Sequence, residues 1–167
     1  MPESILSALQ ALSMTEYAEW VRSSNYGWAI SLTFHAFGNA AVIGLSFIIA
    51  LRIFGFFRTI PLTSLSRLFP VIWISIVVQV LSGSSLWMTK PDKYVSAGMF
   101  DAKFTFVVLG CIVTAYFQSI LRNEAPAWQA SGKVPPHGAA WAAATALLWA
   151  AVLTTGRLTA YLGTLYS

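Results

Sequence analysis

Apolar side chains in this chain fall in long uninterrupted blocks, with neither the alternation of a strand nor the one-sided stripe of a helix in water. Residues 23–51, 68–89, 104–121 and 134–156 contain no Asp, Glu, Lys or Arg. Crossing a hydrocarbon core ~30 Å thick takes about 20 helical residues, and each block approaches or exceeds that length. Strands of a membrane barrel would alternate outward apolar with inward polar positions. Runs such as Phe47–Leu51 and Ile76–Val78 do not alternate. The pattern predicts an all-α fold, an integral membrane four-helix bundle with spans at about 28–54, 68–88, 101–121 and 137–162.

Ahead of the first block, Ile5, Leu6, Leu9, Leu12, Tyr17, Trp20 and Val21 recur at helical spacing, with Glu16, Glu19 and Arg22 between them. Ser13 followed by Glu16 reads as a capping box that opens a short second helix. Residues 1–24 are therefore expected to form an amphipathic interfacial segment, with Tyr17, Trp20, Tyr26 and Trp28 at headgroup level. Residues 25–167 form the four-span domain. Met1–Leu12 lacks the basic flank and apolar core of a signal peptide, so the first span is expected to direct insertion. Within that span, Ala40 and Gly44 offer a small-residue surface for close approach by another helix. Pro61 breaks the first connection. Pro126, Pro135 and Pro136 predict an irregular loop over 123–136, and the Ala-rich fourth span suits tight packing.

Composition agrees: 57% of residues are apolar and 10% charged, where a soluble domain carries about 25% charged residues. The net charge of +4 does not point to nucleic acid, because the basic residues stand singly near span ends; no nucleic-acid partner is expected. Lys and Arg are equally numerous on the two sides of the predicted bundle. The first connection, however, holds Arg52, Arg58 and Arg67 with no acid, and the first helix usually sets orientation, which puts both termini outside. Cys111, the one cysteine, lies mid-span and reads as a packing residue.

Candidate chemistry centres on His35, about two turns into the first span. An ionisable residue at that depth is costly and marks function by default, although a histidine bonded structurally to another helix fits the same spacing. Neutral imidazole suits haem iron, and Ser31 and Asn39, one turn to either side, are positioned to hold its second nitrogen. Ser84, Met88, Lys103 and Arg157 fall towards the same leaflet. Met88 is a candidate second ligand, while Lys103 and Arg157 are cations able to pair with a buried carboxylate such as a haem propionate. Trp73, Trp87, Trp141 and Trp149 could line a macrocycle pocket. Gln79, Thr114 and Gln118 read as interhelical hydrogen-bonding residues. No phosphate loop, metal-spaced Cys/His cluster or Ser–His–Asp set is present, and Asp92, Asp101 and Glu124 sit at span ends, leaving no carboxylate relay through the core.

The order of several short motifs adds to this reading. His35-x-x-Gly38 is followed by Leu51-Arg52 with Gly55, then Pro61-Leu62 and Leu65-Ser66-Arg67, then Ser82-Gly83 with Leu86, and finally Phe100-x-x-Lys103. Over roughly residues 20–122 this order resembles a family of uncharacterised four-helix bacterial inner-membrane proteins. It is similar, more distantly, to the copper-resistance D-type membrane domain and to the small membrane haem-binding protoporphyrinogen oxidase. The resemblance implies that His35 and Lys103 are functional, with His35 as iron ligand. This sequence departs from it at Ser82, where many relatives have Thr, and in having no second histidine within a span.

The expectation is a b-type haem protein of the bacterial inner membrane, serving electron transfer or acting as a redox subunit. His35 and Met88 are the candidate metal ligands, and Lys103, Arg157, Asn39 and Ser84 the residues around the cofactor. A cofactor-free accessory subunit of a larger membrane complex is the alternative, and a porphyrinogen-oxidising enzyme the third. Expected partners are the lipid bilayer and either other membrane subunits or further copies of the chain.

Overall fold

In lipid every backbone N–H and C=O must be satisfied within the chain, so long apolar blocks can only become helices. The computed structural model describes residues 3–89, 91 and 98–165. Two short helices, α1 (Glu3–Ser13) and α2 (Glu16–Ser23), precede four long ones: α3 (Gly27–Ile53), α4 (Phe69–Met88), α5 (Gly98–Ser131) and α6 (Pro136–Leu165). A 3-10 helix, Leu62–Leu68, leads into α4. Four helices are long and apolar enough to cross a membrane. The chain is a multi-pass membrane protein with an all-α four-helix bundle fold, as the block pattern predicts.

The α3 helix packs against α4 and α6, and α5 packs against α6, around a core that includes Val42, Phe69, Ile72, Phe117 and Trp149. The interhelical role expected of the mid-span polar residues holds. Gln118 Oε1 accepts from Trp73 Nε1 at 2.8 Å, and Thr114 Oγ1 accepts from Trp149 Nε1 at 3.0 Å. Ala142 and Ala146 of the Ala-rich helix are buried.

Two sequence expectations need correcting. Ser13 does not cap α2, because its hydroxyl turns back to the Gln10 carbonyl at the end of α1. Thr15 caps instead, accepting from the Ala18 N–H. The stretch 123–136 is not an irregular loop, since α5 continues through Pro126 to Ser131. Proline removes one helical hydrogen bond, but Ala125 and Trp128 bury their side chains and Gln129 Oε1 accepts from the Leu62 N–H at 2.6 Å. Those contacts with the 3-10 helix hold the extension in place. The small-residue surface at Ala40 and Gly44 is met by no helix of this chain: Ala40 is exposed and a Cβ added to Gly44 would meet nothing within 4 Å. The close approach in α3 is at Gly38.

There a Cβ would stand 3.0 Å from the Ser75 carbonyl oxygen and 3.2 Å from the Gln79 backbone nitrogen. Both neighbours are α4 backbone, so a side chain there would have to push the two helices apart by a few tenths of an ångström. At the far end of the bundle, Arg52 is buried and donates to the Ile60 carbonyl, while Leu62 and Leu65 enter the core. The Leu51-Arg52, Pro61-Leu62 and Leu65-Ser66-Arg67 motifs thus build the connection between α3 and α4.

The N-terminal segment rests on the opposite end. The α2 helix buries Ala18 and Val21, and its Tyr17 hydroxyl shares a 2.7 Å hydrogen bond with Ser85 Oγ. Arg22 pairs with Glu19 and donates to the Thr89 carbonyl at 3.4 Å. Tyr17, Trp20, Tyr26 and Trp28 remain exposed.

Overpacking a close backbone crossing costs about 1–3 kcal/mol. Gly38→Val is therefore expected to lower the thermal midpoint of the detergent-solubilised protein sharply, while Gly44→Ala leaves it unchanged or slightly raised. Equal midpoints for the two variants would show that α3 and α4 do not depend on the Gly38 contact.

Candidate functional site

With α3 and α4 drawn together at Gly38, His35 one turn earlier is pressed onto α4. Its Nδ1 lies 3.1 Å from the Gln79 carbonyl oxygen and 3.2 Å from Ser82 Oγ. A carbonyl can only accept, so Nδ1 carries the hydrogen. The Ser82 hydroxyl donates to the Val78 carbonyl at 2.6 Å, leaving a lone pair for the same Nδ1–H. In the neutral ring Nε2 is then the unprotonated nitrogen. Among the described residues no hydrogen bond reaches Nε2. Gly83 makes room for the ring, since a Cβ there would sit 3.1 Å from His35 Cε1.

The residues expected to hold His35 are therefore not the ones that do. Ser31 and Asn39 share its helix, but the acceptors come from α4. Asn39 acts one step removed: its Oδ1 accepts from Gln79 Nε2 at 2.6 Å. Gln79 joins both sets of bonds, through its amide to Asn39 and through its carbonyl to His35.

A cavity of about 380 Å³ opens beside the imidazole, lined among others by His35, Gln79, Ser84, Trp87, Lys103 and Trp149. That lies within the range of about 300–1,000 Å³ usual for small-molecule and cofactor sites. Lys103 enters from α5, its stem laid along α6. A Cβ on Gly156 would stand 3.3 Å from Lys103 Nζ and 3.4 Å from Cε. Among the described residues no carboxylate pairs with that ammonium. A cation held against apolar and aromatic walls is a ready receptor for an anionic group.

The structure thus brings His35, Ser84 and Lys103 to one cavity. Met88, half-buried one turn beyond Ser84, does not line it, and neither does Arg157, which is exposed although its neighbour Gly156 touches Lys103. Trp87 and Trp149 are at the cavity, whereas Trp73 bonds to Gln118 and Trp141 packs on Tyr116 with ring centres 4.6 Å apart. The anchoring role of the Gln79 carbonyl and Ser82 has little sequence signature. The Ser82-Gly83 pair marked the place without revealing that its partner is His35. Among the described residues no group of three or more His, Cys, Asp or Glu side chains could hold a bare metal ion.

The Asn39–Gln79 bond should be measurable as coupling. Interhelical polar pairs in membranes average about 0.6 kcal/mol and reach about 1.7. A double-mutant cycle with Asn39→Leu and Gln79→Leu is expected to return about 0.5–1.7 kcal/mol in unfolding experiments; a value near zero would mean the pair does not form.

The chain matches no protein-family model, no curated protein and no solved structure.

Proposed function

We propose that this chain is a b-type haem protein of the bacterial inner membrane, a small electron-transfer or redox subunit with His35 as the axial ligand. The observation that carries this reading is the hydrogen bond from His35 Nδ1 to the Gln79 carbonyl, which leaves Nε2 as the unprotonated nitrogen of a ring that lines the cavity. A bond of this kind fixes the tautomer and ring orientation of a ligating histidine and raises its basicity. The residues present fit a macrocycle better than a bare ion. Haem brings its own ring of nitrogen ligands and asks the protein for one or two axial donors, and the described cavity offers one histidine. When bound, haem supplies one-electron chemistry at its iron.

The remaining lining residues divide the work of holding it. Lys103 is the cation for a propionate, Trp87 and Trp149 provide aromatic surface, and Ser84 adds a polar group at the edge. Met88 and Arg157 stand away from the lining and are assigned no contact. The arginines Arg52, Arg58 and Arg67, with no acid among them, support a cytoplasmic position for the first connection and periplasmic termini. The site then lies in the outer half of the bilayer.

A second reading is a cofactor-free accessory subunit. It is favoured by the unpartnered Ala40 and Gly44, which leave a small-residue face of α3 free for a helix from another chain.

Absorbance separates the two. Purified in mild detergent, the protein is expected to show a Soret band, and sharp α and β bands after dithionite. His35→Ala is expected to lose the bound haem. Lys103→Met should weaken retention about 10-fold or more, the usual worth of a charged hydrogen bond. A featureless spectrum after expression with added haem, together with co-purification of a larger assembly, would favour the accessory reading. Full haem content in His35→Ala would remove that residue as the ligand.

A further inference from the structure

Side chains of α4 and α5 meet directly at one end of the bundle, and the cavity lies between the same two helices nearer the other. Towards the 3-10 helix, α4 and α5 are joined by side chains: Phe69 meets Phe117 edge-on with ring centres 6.3 Å apart, and Trp73 bonds to Gln118. Further along α4, Val80, Ser84 and Trp87 line a space bounded on α5 by Lys103, Phe104 and Val107. Exposure grades from the inside of this space to its rim. Trp149 is 1% exposed and Gln79 6%, so they form the floor; Val80 at 51% and Phe104 at 64% form the two lips. Both lips lie within candidate membrane spans, so what they are exposed to is lipid. The terminus of α4 towards water is covered differently. Thr89 and Pro91 are buried, Arg22 bonds the Thr89 carbonyl, and Tyr17 bonds Ser85.

We infer that the cavity is loaded sideways from the bilayer, through the slot between α4 and α5, by a membrane-dissolved amphiphile with an anionic end. The lips are apolar, which suits a ligand arriving from hydrocarbon. The Lys103 ammonium just inside them has no carboxylate partner among the described residues, which suits an acid on that ligand. His35 lies deeper than the lips, so a ligand that enters acid-first can lodge its anionic end on Lys103 as its body meets the imidazole. The inference rests on the tetrapyrrole reading for the identity of the amphiphile, and on the slot alone for the route.

The test uses the whole protein, freed of ligand and reconstituted in phosphatidylcholine vesicles, with haemin supplied already partitioned into a second vesicle population. Uptake is followed by the Soret change in the native protein, in Val80→Trp and in Leu81→Trp. Leu81 is equally lipid-facing on the same helix but does not line the cavity. Val80→Trp is expected to slow loading and release together by about tenfold, leaving final occupancy unchanged, while Leu81→Trp behaves as the native protein. Equal rates in both variants, or a loss of occupancy in Val80→Trp with no change in rate, would overturn the lateral route. Absence of any uptake by the native protein would remove the haem reading first. The slot is then read with a photoactivatable fatty acid: label on Trp149 at the cavity floor supports passage of an anionic amphiphile, and label confined to outer positions such as Leu81 overturns it.

Discussion

Where Gly38 of α3 meets Ser75 and Gln79 of α4, two backbones come so close that one added methyl group would have to displace one of them. In lipid the hydrophobic effect does not drive helices together; close packing and polar bonds between helices do. This crossing has both. Gly38 supplies the approach, and Gln79 supplies the bonds, its amide donating to Asn39 and its carbonyl accepting from His35. His35 sits one turn from the crossing and has no freedom to swing away, because its ring lies on Gly83 and its Nδ1–H is shared between the Gln79 carbonyl and Ser82. A side chain that would be an expensive stray charge or dipole in the membrane becomes a fixed imidazole with one nitrogen satisfied and the other open.

The bundle divides its work between its two ends. At one, Arg52, the 3-10 helix and the overlong α5 form a knot of buried side chains and capped backbone, with Leu62 bonded to Gln129 and Trp128 packed under Gly138. At 34 residues, α5 is about 51 Å long, well beyond the ~30 Å core, and its last turns brace the first connection through Gln129. Towards the other end the cavity lies between α4 and α5, with His35 and Trp149 among its lining. The short N-terminal helices complete the arrangement by tying α2 to the terminus of α4.

Much of this was legible in the chain. Four charge-free blocks fix four spans, because length against bilayer thickness leaves little choice. His35 was singled out by the cost of placing an ionisable group in lipid, and the structure puts it on one cavity with Lys103. The roles of neighbours were harder to read. Ser31 and Asn39 share a helix with His35, and helical periodicity can only propose partners on the same helix. The true acceptors belong to α4, and a backbone carbonyl such as that of Gln79 has no letter in the sequence. Pro126 was misleading for a related reason: its local penalty is real, but Trp128 and Gln129 offset it through contacts distant in sequence. Small-residue spacing singled out Ala40 and Gly44, a face that no helix of this chain meets, while Gly38 at the crossing is recognisable only once α4 is in place.

The account depends most on which nitrogen of His35 carries its proton. Nitrogen-15 spectra of ring-labelled histidine, recorded on the ligand-free protein in lipid, read this directly, with His35→Gln used for assignment. The expected result is a neutral ring protonated at Nδ1 and bare at Nε2, a pattern that Ser82→Ala retains because the Gln79 carbonyl still accepts. A ring protonated at Nε2 instead would mean that the hydrogen bond to Gln79 is not made and that Nε2 has no lone pair to offer a ligand site.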